Sequence, residues 1–286
     1  MSIKLIVDSA CDMSEKLIHK YNIDILPFNV NINDKTYLDN YEIDTEDVYE
    51  SMKNGTIPTT SQVSPKSFEK TFTREAEKGN RCIYISFSSK MSGAYQTANI
   101  VANQVKKKYS DFSIDIIDSK SGSMAIGIMA MKAGEMIEKG KSVTKIIETI
   151  KFYAEHIEHF FTLDNLKYLQ HGGRISKTKS IIGNILNIKP ILTVENGTVK
   201  LLRKVRGTKK SLKNIFKQFK EKTYNIKEQT VGISHAGDRE KAKELESMIT
   251  ENFGDIDLHI TSIGSVLGVH LGIGGVGIFF LNKAYD

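Results

Sequence analysis

Short apolar runs alternate with helical stretches through the first half of this chain, and that alternation constrains the fold more than any other feature. The runs IKLIV at 3–7, CIYISF at 82–87 and SIDII at 113–117 have the length of strands. Between and around them, the spacing of apolar residues predicts helices over 14–21, 44–53, 65–78, 93–108 and 121–139. Strands that alternate with helices build a parallel sheet with helices on both faces. Two of the strands end in the same pair, Asp8-Ser9 and Asp118-Ser119, which is a turn and cap signal. In sheets of this kind ligands bind beyond the carboxyl ends of the strands. Ser9, the hydroxyl cluster at 88–92 and Ser119 are therefore expected along one edge. A second extended run, DILPFNVNI, leads into a hairpin excursion over 29–42, and GTIPTTSQVSP at 55–65 reads as a loop.

The second half has a different texture. A strand over 159–163 is followed by a helical stretch at 166–170, the turn HGGR and an apolar helix at about 179–187. The segments 189–195 and 198–202 form a hairpin with Asn196-Gly197 at its turn. A helix over 208–221 carries Leu212, Ile215, Phe216 and Phe219 on one face and Lys209, Lys213, Lys217 and Lys220 on the other. Strand 230–234, helix 238–252 and strand 257–262 restore the alternation. The chain then closes with a glycine-rich loop, GSVLGVHLGIGG, running into a buried strand. The expected architecture is α/β in two domains. An N-terminal parallel-sheet domain covers 1–155 and a C-terminal mixed α/β domain covers 156–286.

Composition narrows the function. No apolar run approaches the ~20 residues needed to cross a bilayer, and the N-terminus lacks a secretory pattern. These observations predict a cytoplasmic protein. Cys11 and Cys82 make neither a disulfide framework nor a metal site and are expected as buried thiols. The net charge of +6 is local: 14 of the 40 Lys/Arg but only 2 of the 34 Asp/Glu lie between Arg174 and Lys222, so the rest of the chain is net acidic. A basic face for an acidic partner surface, for transient membrane contact, or simply for solvent fits this pattern. Nucleic acid does not fit, because no recognition motif or aromatic interleaving accompanies the lysines.

Two hydroxyl-rich loops stand out, Pro58-Thr59-Thr60-Ser61-Gln62 and Ser88-Ser89-Lys90-Met91-Ser92-Gly93. Each could be a helix cap. At one edge of one sheet they could together form a cradle for a small anion, with backbone N–H groups of a helix start. Ser92 lacks the Gly-x-Ser-x-Gly elbow of a hydrolase nucleophile, and a triad would need His270 with Asp8 or Asp118. No dense carboxylate cluster suits Mg²⁺, and the glycines at 272–277 precede a strand rather than a helix, the wrong order for a dinucleotide fingerprint. His270 stands among small residues that would let a ligand approach, and with an ordinary pKa near ~6.5 it could donate to a carboxylate. His235 at another strand end is a weaker candidate.

PTTSQ at 58–62, SSKMSGAYQTA at 88–98, GGRIS at 172–176, KPIL at 189–192 and GVHLG at 268–272 occur in an order that resembles the DegV family. The chain looks like the fatty-acid-binding subunit of the bacterial fatty acid kinase system. The resemblance covers nearly the whole chain. It implies one long-chain fatty acid in a buried tunnel of the C-terminal domain, with its carboxylate between the domains. A separate ATP-dependent kinase subunit would phosphorylate that carboxylate to an acyl phosphate, and this chain would have no catalysis and no cofactor of its own. By position, Thr60, Ser61, Ser92, Gly93 and His270 would hold the carboxylate, and Arg174 and Arg203 would contact the kinase. A serine hydrolase acting on a lipid or ester through Ser92 is the competing reading. Two departures from the family pattern matter: Ile273 and Val63 stand where prolines are usual.

Overall fold

The computed structural model describes residues 2–164, 166–175 and 187–285. In chain order the first half comprises β1 (Ile3–Asp8), α1 (Glu15–Lys20), β2 (Asp24–Leu26), β3 (Asn29–Ile32), β4 (Lys35–Leu38), α2 (Thr45–Lys53), β5 (Thr59–Ser61) and α3 (Pro65–Glu77). It continues with β6 (Arg81–Ser86), α4 (Ala94–Lys108), β7 (Ser113–Asp118), α5 (Met124–Glu138) and α6 (Val143–His156). Strands β2, β1, β6 and β7, in that order, form an all-parallel sheet, as the alternation requires. Leu5, Ile6, Val7 and Ile83–Ile85 are almost wholly buried, which is why these strands read as continuous apolar runs. Cys11 and Cys82 are buried free thiols.

The second half comprises β8 (Ile157–Thr162), α7 (Lys167–His171), β9 (Ile188–Glu195), β10 (Thr198–Arg206), α8 (Thr208–Lys222) and β11 (Val231–His235), then α9 (Arg239–Phe253), β12 (Leu258–Ser262), α10 (Ser265–Leu271) and β13 (Val276–Leu281). Its sheet runs β10-β9-β8-β13-β11-β12 and is mixed, with β11 and β12 parallel and the other pairs antiparallel. Alternation along β8 sorts its side chains. Phe160 joins the core with Leu212, Ile215 and Phe219 of α8, while His159 and Phe161 face a cavity on the other side. Helix α5, buried along most of its length, touches β1 and β6 of the first sheet and β11 and β13 of the second. Its apolar residues are near-uniform rather than striped because most of it is covered on all sides, with Lys132, Glu135 and Glu138 reaching solvent toward its end.

Three elements depart from the sequence reading. The expected loop at 55–65 holds β5, whose Thr60 pairs with Val30 in a small antiparallel sheet β4-β3-β5. Helix α6 was not foreseen, although Ile146, Thr149, Ile150 and Tyr153 bury one face at helical spacing and the Ser142 hydroxyl caps it at Lys145 N, 3.3 Å. The closing glycine-rich loop contains α10, whose Val266 and Val269 are buried. The helix expected near 179–187 falls, except for Asn187, outside the described residues.

Candidate functional site

The hydroxyl loop after β6 is set by two aspartates. Asp8 is fully buried and accepts from Phe87 N at 2.7 Å, Tyr84 OH at 2.9 Å and Ala10 N at 3.3 Å. Burial pushes its pKa up to about 6 against these hydrogen bonds. Asp118 accepts from the Ser89 backbone N–H at 3.0 Å and the Ser89 hydroxyl at 2.5 Å. Both carboxylates thus hold loop backbone, and neither is hydrogen-bonded to His270. The same loop meets the second half through Ser88, whose buried hydroxyl donates to Gly197 O at 2.8 Å in the β9–β10 turn.

Ser92 precedes α4, and its hydroxyl accepts from Ala94 N at 3.2 Å. That contact is a local turn just ahead of the helix, whose N-cap is Gly93, and the half-buried oxygen also lines a cavity with Thr60, Ser61, Gln62, Arg174 and His270. His270 lies on the last turn of α10, with Nε2 2.8 Å from the Thr60 hydroxyl, which donates or accepts according to the imidazole tautomer. Burial, and secondarily the Arg174 guanidinium, hold His270 down to about 4, so the ring is neutral at neutral pH. Arg174 is then the permanent positive charge of the pocket. Its Nε donates to Met91 O at 3.3 Å, and its Nη1 donates to Gly172 O.

Two glycines give this polar end its shape. A Cβ on Gly172 would lie 2.1 Å from His270 Nδ1, so the HGGR turn can cover the imidazole only without a side chain there. A Cβ on Gly93 would lie 2.0 Å from Gln62 Oε1. Gly93 itself is exposed and does not line the cavity, so its place at the site is to admit Gln62. Gln62 in turn donates to the Thr97 hydroxyl at 2.7 Å. The loop that follows His270 is fixed without the usual proline: Gly274 N donates to Ala236 O at 2.7 Å, and Ile273 packs with the cluster around Tyr49 and Val269. Val63, at the other departure, is wholly buried in the core.

Below the polar end lies an apolar chamber, and the two share Phe87, Met91, Val199, Leu267 and Leu271 as walls. As the walls stand, each holds about 60 Å³ of cavity volume, short of the ~300–1,000 Å³ usual for small-molecule sites. The chamber draws Phe87 and Gly122 from the first half and Phe161, Val194 and Val276 from the second. Most of its walls come from the second half, with Phe87, Met91, Gly122 and Ser123 supplied by the first.

The structure brings Thr60, Ser61, Ser92 and His270 together as the motifs suggest, and it adds Arg174, which the sequence reading had placed at a partner surface. Arg203 stays apart, on the exposed stretch of β10, where Nη1 reaches Asn214 Oδ1 at 3.4 Å. Gln62 was missed as a site residue although it stands inside the PTTSQ motif. The chamber walls were missed because apolar residues carry no signal that separates a cavity from a core. Among the described residues no group of three or more His, Cys, Asp or Glu could hold a metal ion, and no helix is long and apolar enough to cross a membrane.

Comparison with known proteins gives concordant matches. The model of the DegV family, described as an uncharacterised protein family, matches residues 2–283. A DegV domain-containing protein of Clostridium perfringens is 35% identical over 285 residues, covering 99% of this chain and 98% of that one. The solved structure described as fatty acid binding of a DegV family protein from Thermus thermophilus superposes with a TM-score of 0.87 at 27% identity, covering 98% and 99% of the two chains. A stearic acid-binding protein from Eubacterium ventriosum superposes with a TM-score of 0.87 at 26% identity, covering 99% of each chain.

Proposed function

Because this chain belongs to the DegV family, whose solved members include fatty-acid-binding proteins, we propose that it holds one long-chain fatty acid and presents the carboxylate to a partner kinase. The observation that carries the reading is the adjacency of the two cavities: a pocket with hydroxyls, an amide, an imidazole and an arginine shares five wall residues with a space walled by Phe, Met, Leu and Val. Thr60, Ser61, Ser92 and His270 hold the carboxylate, Arg174 supplies its counter-charge, and the acyl chain fills the apolar chamber. Burying roughly fourteen methylenes at ~0.8 kcal/mol each gives ~11 kcal/mol, against an association cost on the order of 4–15 kcal/mol. The polar end must therefore be close to neutral in cost for binding to be tight. Hydroxyl donors, a neutral imidazole and one arginine meet that need without sealing the anion into several ion pairs.

The same arrangement suits presentation. Ser61 and Arg174 are exposed while most of the chamber's wall residues are buried, so the carboxylate sits on the accessible side and the chain among the buried walls. We assign the exposed basic surface around Arg203 to the kinase partner, which phosphorylates the carboxylate to an acyl phosphate. A hydrolase built on Ser92 finds no support in the geometry, since His270 is hydrogen-bonded to Thr60 and the Ser92 oxygen to a backbone N–H. Lipid extraction or native mass spectrometry of the purified protein tests the proposal. Fatty acid at one equivalent is expected, and a protein that is empty and takes up no added fatty acid overturns it.

A further inference from the structure

The apolar chamber contains one polar side chain whose needs are unmet. His159 on β8 is 3% exposed, and neither Nδ1 nor Nε2 has a hydrogen-bond partner. Its ring lines the chamber edge-on to Phe279, with centroids 5.6 Å apart. The other polar residue of the wall, Ser123, is already engaged, donating to Asp12 and lying 3.2 Å from the Ser234 hydroxyl. Burial holds the His159 imidazole down to about 4, with the Ile157 backbone a weaker opposing influence. The ring is therefore neutral, with one N–H to donate and one lone pair to offer.

Buried polar groups in folded proteins are nearly always satisfied. An orphaned imidazole facing a ligand chamber points to a partner on the ligand. We propose that His159 selects an acyl chain carrying a hydroxyl along its length, so that the preferred ligand is a hydroxylated long-chain fatty acid. A hydroxyl is the suitable complement because it accepts from the N–H or donates to the lone pair, whichever the ring presents. An unsubstituted chain would leave His159 buried and unpaired, and sites built to hydrogen-bond a ligand hydroxyl discriminate against analogues that lack it.

This inference rests on the fatty-acid reading, and the experiment separates the two. Binding of octadecanoic acid and of octadecanoic acids hydroxylated at single mid-chain positions is measured by competition on the delipidated protein. At least one hydroxylated isomer is expected to bind roughly tenfold more tightly than the plain chain. In His159→Phe that preference should vanish while octadecanoic acid still binds, and in His159→Gln, which keeps a donor and an acceptor, part of it should remain. The inference is overturned if no isomer outcompetes the plain chain, or if the preference survives in His159→Phe. Failure of every fatty acid to bind overturns the fatty-acid reading itself. The apo melting temperature supplies the folding control: His159→Phe should match or exceed the parent. A collapse would show that His159 has a structural partner, which equally overturns the assignment.

Discussion

The polar pocket and the apolar chamber each hold a histidine, half-buried in the first and buried in the second, and desolvation drives both rings down to about 4. At the polar end His270 meets the Thr60 hydroxyl at 2.8 Å with Arg174 nearby, while in the chamber His159 has no hydrogen-bond partner. Protonation state therefore does not distinguish them. The neighbours do: one ring is oriented by a protein hydroxyl at Nε2, and the other is left for something else to satisfy. Burial alone marks a group as perturbed, and only its partners show whether it organises a site or awaits a ligand.

The largest expected effect on binding comes from the polar end. Arg174→Ala removes the one permanent charge there and should weaken fatty-acid binding by roughly 10- to 100-fold, the range of a hydrogen bond to a charged group. Titration of the delipidated variant with fatty acid checks this, and an unchanged affinity would show that the carboxylate sits elsewhere. Next in size is Gly172→Ala, whose added methyl overlaps His270 Nδ1. It should displace the ring from Thr60 and weaken binding by about tenfold, with loss of the His270 imidazole's contact visible by NMR. Thr60→Val, which keeps the shape and removes the hydroxyl, should cost about threefold to tenfold.

The pH dependence compares the two regions directly. A histidine whose folded pKa lies below its ordinary value of 6.5 is protonated only on unfolding between about pH 6.5 and 4, so stability is lost as pH falls through that window. Asp8 and Asp12, raised from 3.8 to about 6 and about 7, oppose this, because the folded state binds their protons first and gains stability as pH falls. The parent should thus show a shallow profile in urea melts between pH 7 and 4. His159→Phe should tilt it toward greater stability in acid and Asp12→Asn toward less, and identical profiles for both variants would contradict the assignments. The smallest effect is expected at Arg203→Ala. Fatty-acid affinity should be unchanged, while acyl-phosphate formation with a partner kinase falls if Arg203 contacts it.

Much of the scaffold was legible. The runs at 3–7, 82–87 and 113–117 are near-continuously apolar because both faces of a parallel strand are covered, and Asn196-Gly197 marked its hairpin because few residues tolerate positive φ there. Helix α6 carried a clear helical stripe and was overlooked. Strand β5 carried none: three residues of Thr and Ser are extended only because β3 offers a partner. At the site, the hydroxyl motifs were readable because capping and anion binding call for the same residue types. Arg174 was readable as a charge but not as a pocket residue, since a basic segment looks the same whichever way its side chains turn.

The sequence by itself determined the alternation, the strand ends at Asp8 and Asp118, the hydroxyl loops and the family they resemble, because each depends on residues close in the chain. The tertiary structure alone decided that Thr60 meets His270 across 210 positions and that Gly172 makes room for that ring. It also decided that Phe161 lines a chamber while Phe160 fills a core, and that His159 goes unpaired. Those outcomes depend on how two sheets and the helix between them leave space, and empty volume is a property of packing that no single residue encodes.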